Sequence, residues 1–217
     1  MGLNLEVAGI VKSYNGQAVL RECSFDFAQG RTYALLGQNG SGKSTFMRIA
    51  ALLEPPDAGE VRYSDHGAAL PHDLGLRRRI TLLLPRIGVF NTSVFHNVAY
   101  GLKIRGRSVH AVEDRVNEVL GTVGLLHKRR QNGLDLSSGE TKRLGIARAL
   151  VIEPEVFLLD EPTANLDPKN AEIIEQIIFS MKTAGKSTII VVTHDPAQAR
   201  RLGDQPLVMD HGQIVPL

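Results

Sequence analysis

A chain of 217 residues, 43 % hydrophobic and 22 % charged, is long enough for one α/β domain with a small appendage and too ordinary in composition for disorder, collagen or coiled coil. Twenty-five Lys and Arg against 23 Asp and Glu leave a net charge of +2, too even to support a nucleic-acid groove or an acidic tail. The single cysteine, Cys23, excludes an internal disulfide and a Cys-rich metal cluster, and it suits a reducing compartment.

The chain opens as antiparallel sheet. Leu3, Leu5 and Val7 alternate with Asn4 and Glu6, and Phe25 and Phe27 alternate with Ser24 and Asp26. Between these runs, Asn15-Gly16 tolerates the positive φ angles of a tight hairpin. From Thr32 the pattern changes to an unbroken apolar run, Tyr33 to Leu36, then a glycine-rich turn from Gly37 to Gly42, then a helical stretch from Ser44 to about Leu53. Pro55-Pro56 and Asp57-Ala58-Gly59 supply the turn chemistry that closes it. This is the strand, loop and helix of a parallel α/β unit.

The middle of the chain differs. Val112, Val116, Val119 and Leu120 lie at helical spacing within Val109 to Leu120, as do Leu144, Ala147, Leu150 and Val151 within Thr141 to Val151. A helical insertion over about 85–150 follows. Beyond it, Val156 to Leu159 and Ile189 to Val192 are continuously apolar, as expected of strands with both faces covered. The first ends in Asp160-Glu161-Pro162-Thr163 and the second in Thr193-His194-Asp195. Ligands of open parallel sheets bind beyond the carboxyl ends of the strands, so three such ends point at one shared site. No apolar run approaches the ~20 residues of a membrane span. The amino terminus, Met1 to Ile10, lacks the pattern of a signal peptide, so a cytoplasmic protein is expected.

Gly37-Gln38-Asn39-Gly40-Ser41-Gly42-Lys43-Ser44 fits the P-loop pattern of glycine, four residues, glycine, lysine, serine. Its glycines let successive backbone N–H groups point at phosphate oxygens, and the following helix adds the positive end of its dipole. A chance match is on the order of one chain in a hundred of this length. Lys43 would reach the β- and γ-phosphates and Ser44 would ligate Mg²⁺, with Thr45 next in the same turn. Asp160 would hold the Mg²⁺ through its water shell, and Glu161 is free to act as the base toward an attacking water. His194 is placed to meet the γ-phosphate or to order that water.

These residues, in this order and spacing, resemble the nucleotide-binding subunit of an ATP-binding cassette transporter nearly end to end. The match includes the P-loop, a signature stretch Leu136-Ser137-Ser138-Gly139-Glu140, a Walker B strand ending at Asp160 and Glu161, a D-loop Ala164-Asn165-Leu166-Asp167 and the switch His194. The resemblance implies one cassette with an antiparallel β part over about 1–31, a nucleotide-binding core over 32–84 and 151–217, and the helical insertion. It further implies that Tyr14 stacks on adenine, and that Ser137 to Glu140 and Asp167 close over ATP held by a second copy in a head-to-tail dimer. A permease subunit, and a solute-binding protein in the assembled importer, are the implied partners, with the chain peripheral on the inner face of the plasma membrane. No carboxy-terminal regulatory domain and no nucleic-acid partner are expected.

Ser137 with Glu140 three residues later is also a capping box, which starts a helix for purely structural reasons. The chain has Ser138 and Glu140 where the family frequently has Gly and Gln, and Glu140 brings negative charge toward phosphate unless it points away. At the Q-loop, where the family usually has glutamine, this chain has Pro85. It has no glutamine between Gln38 and Gln131, and Asn91 is a candidate substitute. The stretch Val89 to Val94, followed by Asn97 to Lys103, resembles bacterial importers of oxyanions, tungstate above all, and Val89, Phe90, Val94 and Phe95 would line a groove for the membrane partner. The alternatives are a poorly hydrolysing regulatory ATP-binding module and a cassette ATPase with no role in transport.

Overall fold

The computed structural model of the chain describes residues 2–217, with Val109 described by its backbone alone. Met1, where the reading of the amino terminus begins, lies outside the described residues. The chain divides into two compact units, one formed by 1–82, 154–161 and 179–217 and the other by 83–153 and 162–178.

The first unit carries two sheets. β1 (Asn4–Tyr14) and β2 (Gln17–Phe27) form the expected hairpin, with Asn15 and Gly16 at φ 51° and 79°. β3 (Thr32–Leu36) leads through the glycine turn to α1 (Lys43–Ala50). That helix ends earlier than the apolar pattern predicts, because Leu52 turns left-handed at φ 57° and the Leu52 and Leu53 amides fold back onto the carbonyls of Ile49 and Arg48. Ala58 and Gly59, expected in a turn, already belong to β4 (Ala58–Asp65), where Ala58 pairs with Val11. β5 (Ala68–Leu70) completes an antiparallel sheet of order β2-β1-β4-β5.

β3 belongs to the second sheet, whose next strand in the chain, β6 (Ile80–Leu83), follows the short α2 (Leu74–Arg77). α3 (Val94–Ile104), α4 (Val109–Thr122) and α5 (Ser138–Leu150) intervene before β7 (Val156–Asp160). Then come α6 (Pro168–Ala184), β8 (Thr188–Val192), α7 (Pro196–Leu202), β9 (Gln205–Asp210) and β10 (Gln213–Pro216). The strand order is β10-β9-β3-β8-β7-β6, with β9, β3, β8 and β7 parallel and β10 antiparallel to β9. Every residue of β3, β7 and β8 is buried, which is why these strands read as unbroken apolar runs. Leu5, Val7, Phe27, Phe46, Leu158 and Ile190 belong to one core between the sheets. Arg79 ties the two sheets, donating to Asp65 at the end of β4 at 2.7 Å and twice to Glu155 just before β7. Cys23 lies in the same core, where burial pushes its thiol up to about 11.

In the second unit α3, α4 and α5 pack together. Val112, Val116, Val119, Leu120, Leu144 and Ala147 are all buried, as their spacing predicts. Val94 is buried too, so it supports α3 from inside and cannot line an exposed groove as expected. Phe90 and Tyr100 remain exposed, with ring centroids 4.9 Å apart. Among the described residues, no helix is long and apolar enough to cross a membrane.

Candidate functional site

The loop after β3 is shaped by its glycines. Gly42 caps α1 at φ 106° with no side-chain hydrogen bond to the helix, and a Cβ there would lie 2.9 Å from both the Val19 carbonyl and the Leu20 side chain. The first-turn N–H groups of α1 are therefore left without a side-chain cap, the state in which a helix start favours an anion. Lys43 is almost fully buried and reaches back over the loop, donating to the carbonyls of Gly37 at 2.7 Å and Gln38 at 2.8 Å. Burial lowers its pKa, against the pull of the Glu161 and Asp160 charges. The Ser41 hydroxyl is buried with no hydrogen-bond partner among the described residues, an orphan that a phosphate oxygen would satisfy.

Adjacent strand ends supply the acidic groups. Asp160 is buried at the end of β7 and bonded to the Ser44 side chain. Burial raises its pKa and the Glu161 charge adds to this, while the Ser44 bond and the charges of Lys43 and Arg48 oppose it. Glu161 holds a left-handed φ of 50°, and its amide donates to Val192 at the end of β8. A non-glycine residue there is strained by an amount on the order of 1 kcal/mol. His194, two residues past β8, places Nδ1 3.2 Å from Glu161 Oε1. Asp195, in the same polar cluster, is instead the cap of α7, accepting from Ala197 N at 2.8 Å.

An open cleft of about 810 Å³ borders the loop, lined by Gly37 to Ser41, by Gln17, Val19 and Arg21 from β2, and by the His211-Gly212 turn. No local pattern marks the β2 and β9–β10 walls, because they are far from the P-loop in sequence and meet it only through the fold. Tyr14 is not among the lining residues. Its hydroxyl is bonded to Glu54 and Arg48, and Arg48 also reaches Thr45 on α1.

The second unit assembles the other predicted stretch. Ser137 caps α5: its hydroxyl accepts from Glu140 N at 3.4 Å, and Glu140 Oε2 accepts from Ser137 N at 3.0 Å. Glu140 also lies 2.6 Å from Lys128 Nζ, so its charge is compensated within the unit. The Lys128 and Ser137 bonds hold its carboxyl at about 2. Ser137 and Ser138 are exposed while Gly139 is buried, and a Cβ on Gly139 would lie 2.3 Å from the Asn170 amide carbon. Asn170 donates to Asp167 from its backbone at 3.0 Å and its side chain at 2.6 Å, which joins the signature stretch to Asp167. Pro85 offers only its carbonyl, which accepts from Lys142 Nζ at 2.6 Å. Asn91, the suggested substitute, accepts from Asn132 Nδ2 at 2.8 Å and is committed there.

The description "ABC transporter" belongs to the family model that matches residues 20–164. The chain is 35 % identical to the tungstate uptake system ATP-binding protein TupC of Peptoclostridium acidaminophilum, covering 98 % of this chain and 97 % of that protein. It is 34 % identical to the methionine import ATP-binding protein MetN 1 of Acinetobacter baylyi, covering 98 % of this chain and 62 % of that one. The dimeric structure of MJ0796, a bacterial ABC transporter cassette, matches with TM-score 0.85 at 26 % identity over 97 % of this chain and 96 % of that one. With P-loop, acidic strand end and signature stretch each built as described, the chain belongs to the ABC transporter family as one of its ATP-binding subunits.

Proposed function

We propose that the protein hydrolyses ATP as one half of a head-to-tail dimer on the inner face of the plasma membrane, and that closure and opening of the dimer drive a permease importing an oxyanion such as tungstate. The observation that carries the catalytic part is the convergence in one unit of the P-loop, Asp160, Glu161 and His194 at neighbouring strand ends. The uncapped N–H groups of α1, Lys43 and the Ser41 hydroxyl bind the phosphates. Glu161 takes the proton of the attacking water, and His194 holds its carboxylate in place. A hard divalent cation fits the oxygen donors Ser44 and Asp160, because its positive charge would offset the burial that raises the Asp160 pKa. Bound there, Mg²⁺ would neutralise charge on the phosphoryl oxygens.

The dimer rests on the exposed Ser137 and Ser138 at a helix start, which need a phosphate from another copy to act on, and on the dimeric cassette this chain resembles. The oxyanion rests on the tungstate uptake relative and on the Val89 to Lys103 stretch. A methionine import protein is nearly as similar, so co-purification of the permease and its solute-binding protein decides that part. Glu161→Gln is expected to keep ATP binding, lose ~10² to 10⁴ in turnover, and elute as an ATP-dependent dimer on gel filtration. Rapid hydrolysis by this variant sinks the assignment, as does undiminished ATP affinity in Lys43→Ala. One observation favours a second reading, a poorly hydrolysing regulatory module: Pro85 presents no side-chain oxygen where the family usually has glutamine.

A further inference from the structure

A closed polar ring joins the end of β1 to the segment after α1, and none of the steps above uses it. Tyr14 Oη donates to Glu54 Oε1 at 2.5 Å. Arg48 Nε donates to Glu54 Oε2 at 3.0 Å, and Arg48 Nη2 donates to Tyr14 Oη at 3.3 Å and to Thr45 Oγ1 at 3.3 Å. Lys12 braces the ring from one side, its ammonium 3.5 Å from Glu54 Oε1 and 5.7 Å from the Tyr14 ring centroid. Lys12 is itself held by the Pro55 carbonyl and Asp57.

A tyrosine that serves only as a stacking surface needs a ring and no hydroxyl. Here the hydroxyl is engaged twice, yet the residue stays 37 % exposed, which leaves ring surface open to a ligand. Arg48 suits the centre of the ring because its planar fork presents Nε to a carboxylate and Nη2 to a second acceptor in one fixed geometry. It stands on the helix that begins with Lys43, Ser44 and Thr45, so the orientation of Tyr14 is referred to the phosphate-binding turn by side-chain bonds alone.

We propose that Glu54 and Arg48 are positioning residues for the nucleotide base, holding the Tyr14 ring at a fixed place relative to the P-loop. This rests on the reading of Tyr14 as the base platform. Fixing one rotamer-rich side chain before binding corresponds to roughly three- to tenfold in affinity.

The test is isothermal titration of the whole protein with MgATP and, separately, with magnesium tripolyphosphate, which carries the phosphates and no base. Tyr14→Phe and Glu54→Ala are expected to weaken MgATP by roughly three- to tenfold and to leave tripolyphosphate binding unchanged, with Glu54→Gln recovering part of the loss. Equal losses for both ligands would reduce the ring to a structural staple and overturn the proposal, as would unchanged MgATP affinity in Tyr14→Phe. Tyr14→Ala separates the two layers: if it too leaves MgATP affinity unchanged, Tyr14 is not the base platform and the underlying reading fails.

Discussion

Lys142 Nζ donates to the carbonyl of Pro85 at 2.6 Å, so the signature helix α5 holds the position where related chains usually present a glutamine side chain. Proline has no backbone N–H and no side-chain acceptor, and its one polar atom is engaged by Lys142. Pro85→Gln would supply an amide oxygen for water or cation. If this position limits catalysis, ATP turnover of the assembled transporter rises by roughly three- to tenfold, less than the ~10² that removal of a general base costs. An unchanged rate would remove Pro85 from any account of slow hydrolysis and with it the case for a regulatory module.

Glu140 gives a pH prediction with a definite sign. Its carboxyl lies at about 2, well below its ordinary 4.5, through the Lys128 contact and then the Ser137 backbone bond. The stabilisation is therefore fully present above about 4.5 and is lost as pH falls through about 2. Losing the cap and the ion pair together in Glu140→Ala should cost about 1–2 kcal/mol at neutral pH. Glu140→Gln, which can still accept from Ser137, should cost less. Urea unfolding at a series of pH values checks both, since the gap between native chain and Glu140→Gln should close on acidification. A gap that stays constant from pH 7 to pH 2 would show that ionisation of Glu140 plays no part.

The P-loop, the acidic strand end and the capping box were legible in sequence because each is a contiguous stretch whose spacing is its chemistry. The buried parallel strands were legible for the same reason, as unbroken apolar runs. α3 was not, because its pattern is broken by Asn97. That side chain is fully buried and spent on the loop before the helix, accepting from Phe90 N and donating to the carbonyls of Phe90, Thr92 and Ser93. The Tyr14–Glu54–Arg48 ring and the Asn170 contact with Gly139 were also invisible. They join residues about 30 to 40 positions apart that approach only when sheet and helices are packed, and no single-chain periodicity records that.

The last of these contacts yields a coupling that can be measured. A Cβ on Gly139 would lie 2.3 Å from the Asn170 Cγ and 2.4 Å from its Oδ1, distances that real Cβ contacts do not reach. Asn170 cannot swing aside freely, because its side chain and amide are both bonded to Asp167. Gly139→Ala should therefore destabilise the protein by about 1–3 kcal/mol, as overpacking does. Asn170→Ala removes the obstruction along with the side-chain bond, so the double variant should be less destabilised than the two single changes added together, with a coupling on the order of 1 kcal/mol. Strict additivity in urea unfolding would mean that Asn170 does not set the requirement for glycine at 139. A second readout follows from the bonds to Asp167: if the proposed ATP-dependent dimer forms, Asn170→Ala should weaken it while ATP affinity of the monomer stays unchanged, since the P-loop and its lysine lie in the other unit. Loss of monomer affinity would place Asn170 outside the role of linking Asp167 to the signature stretch.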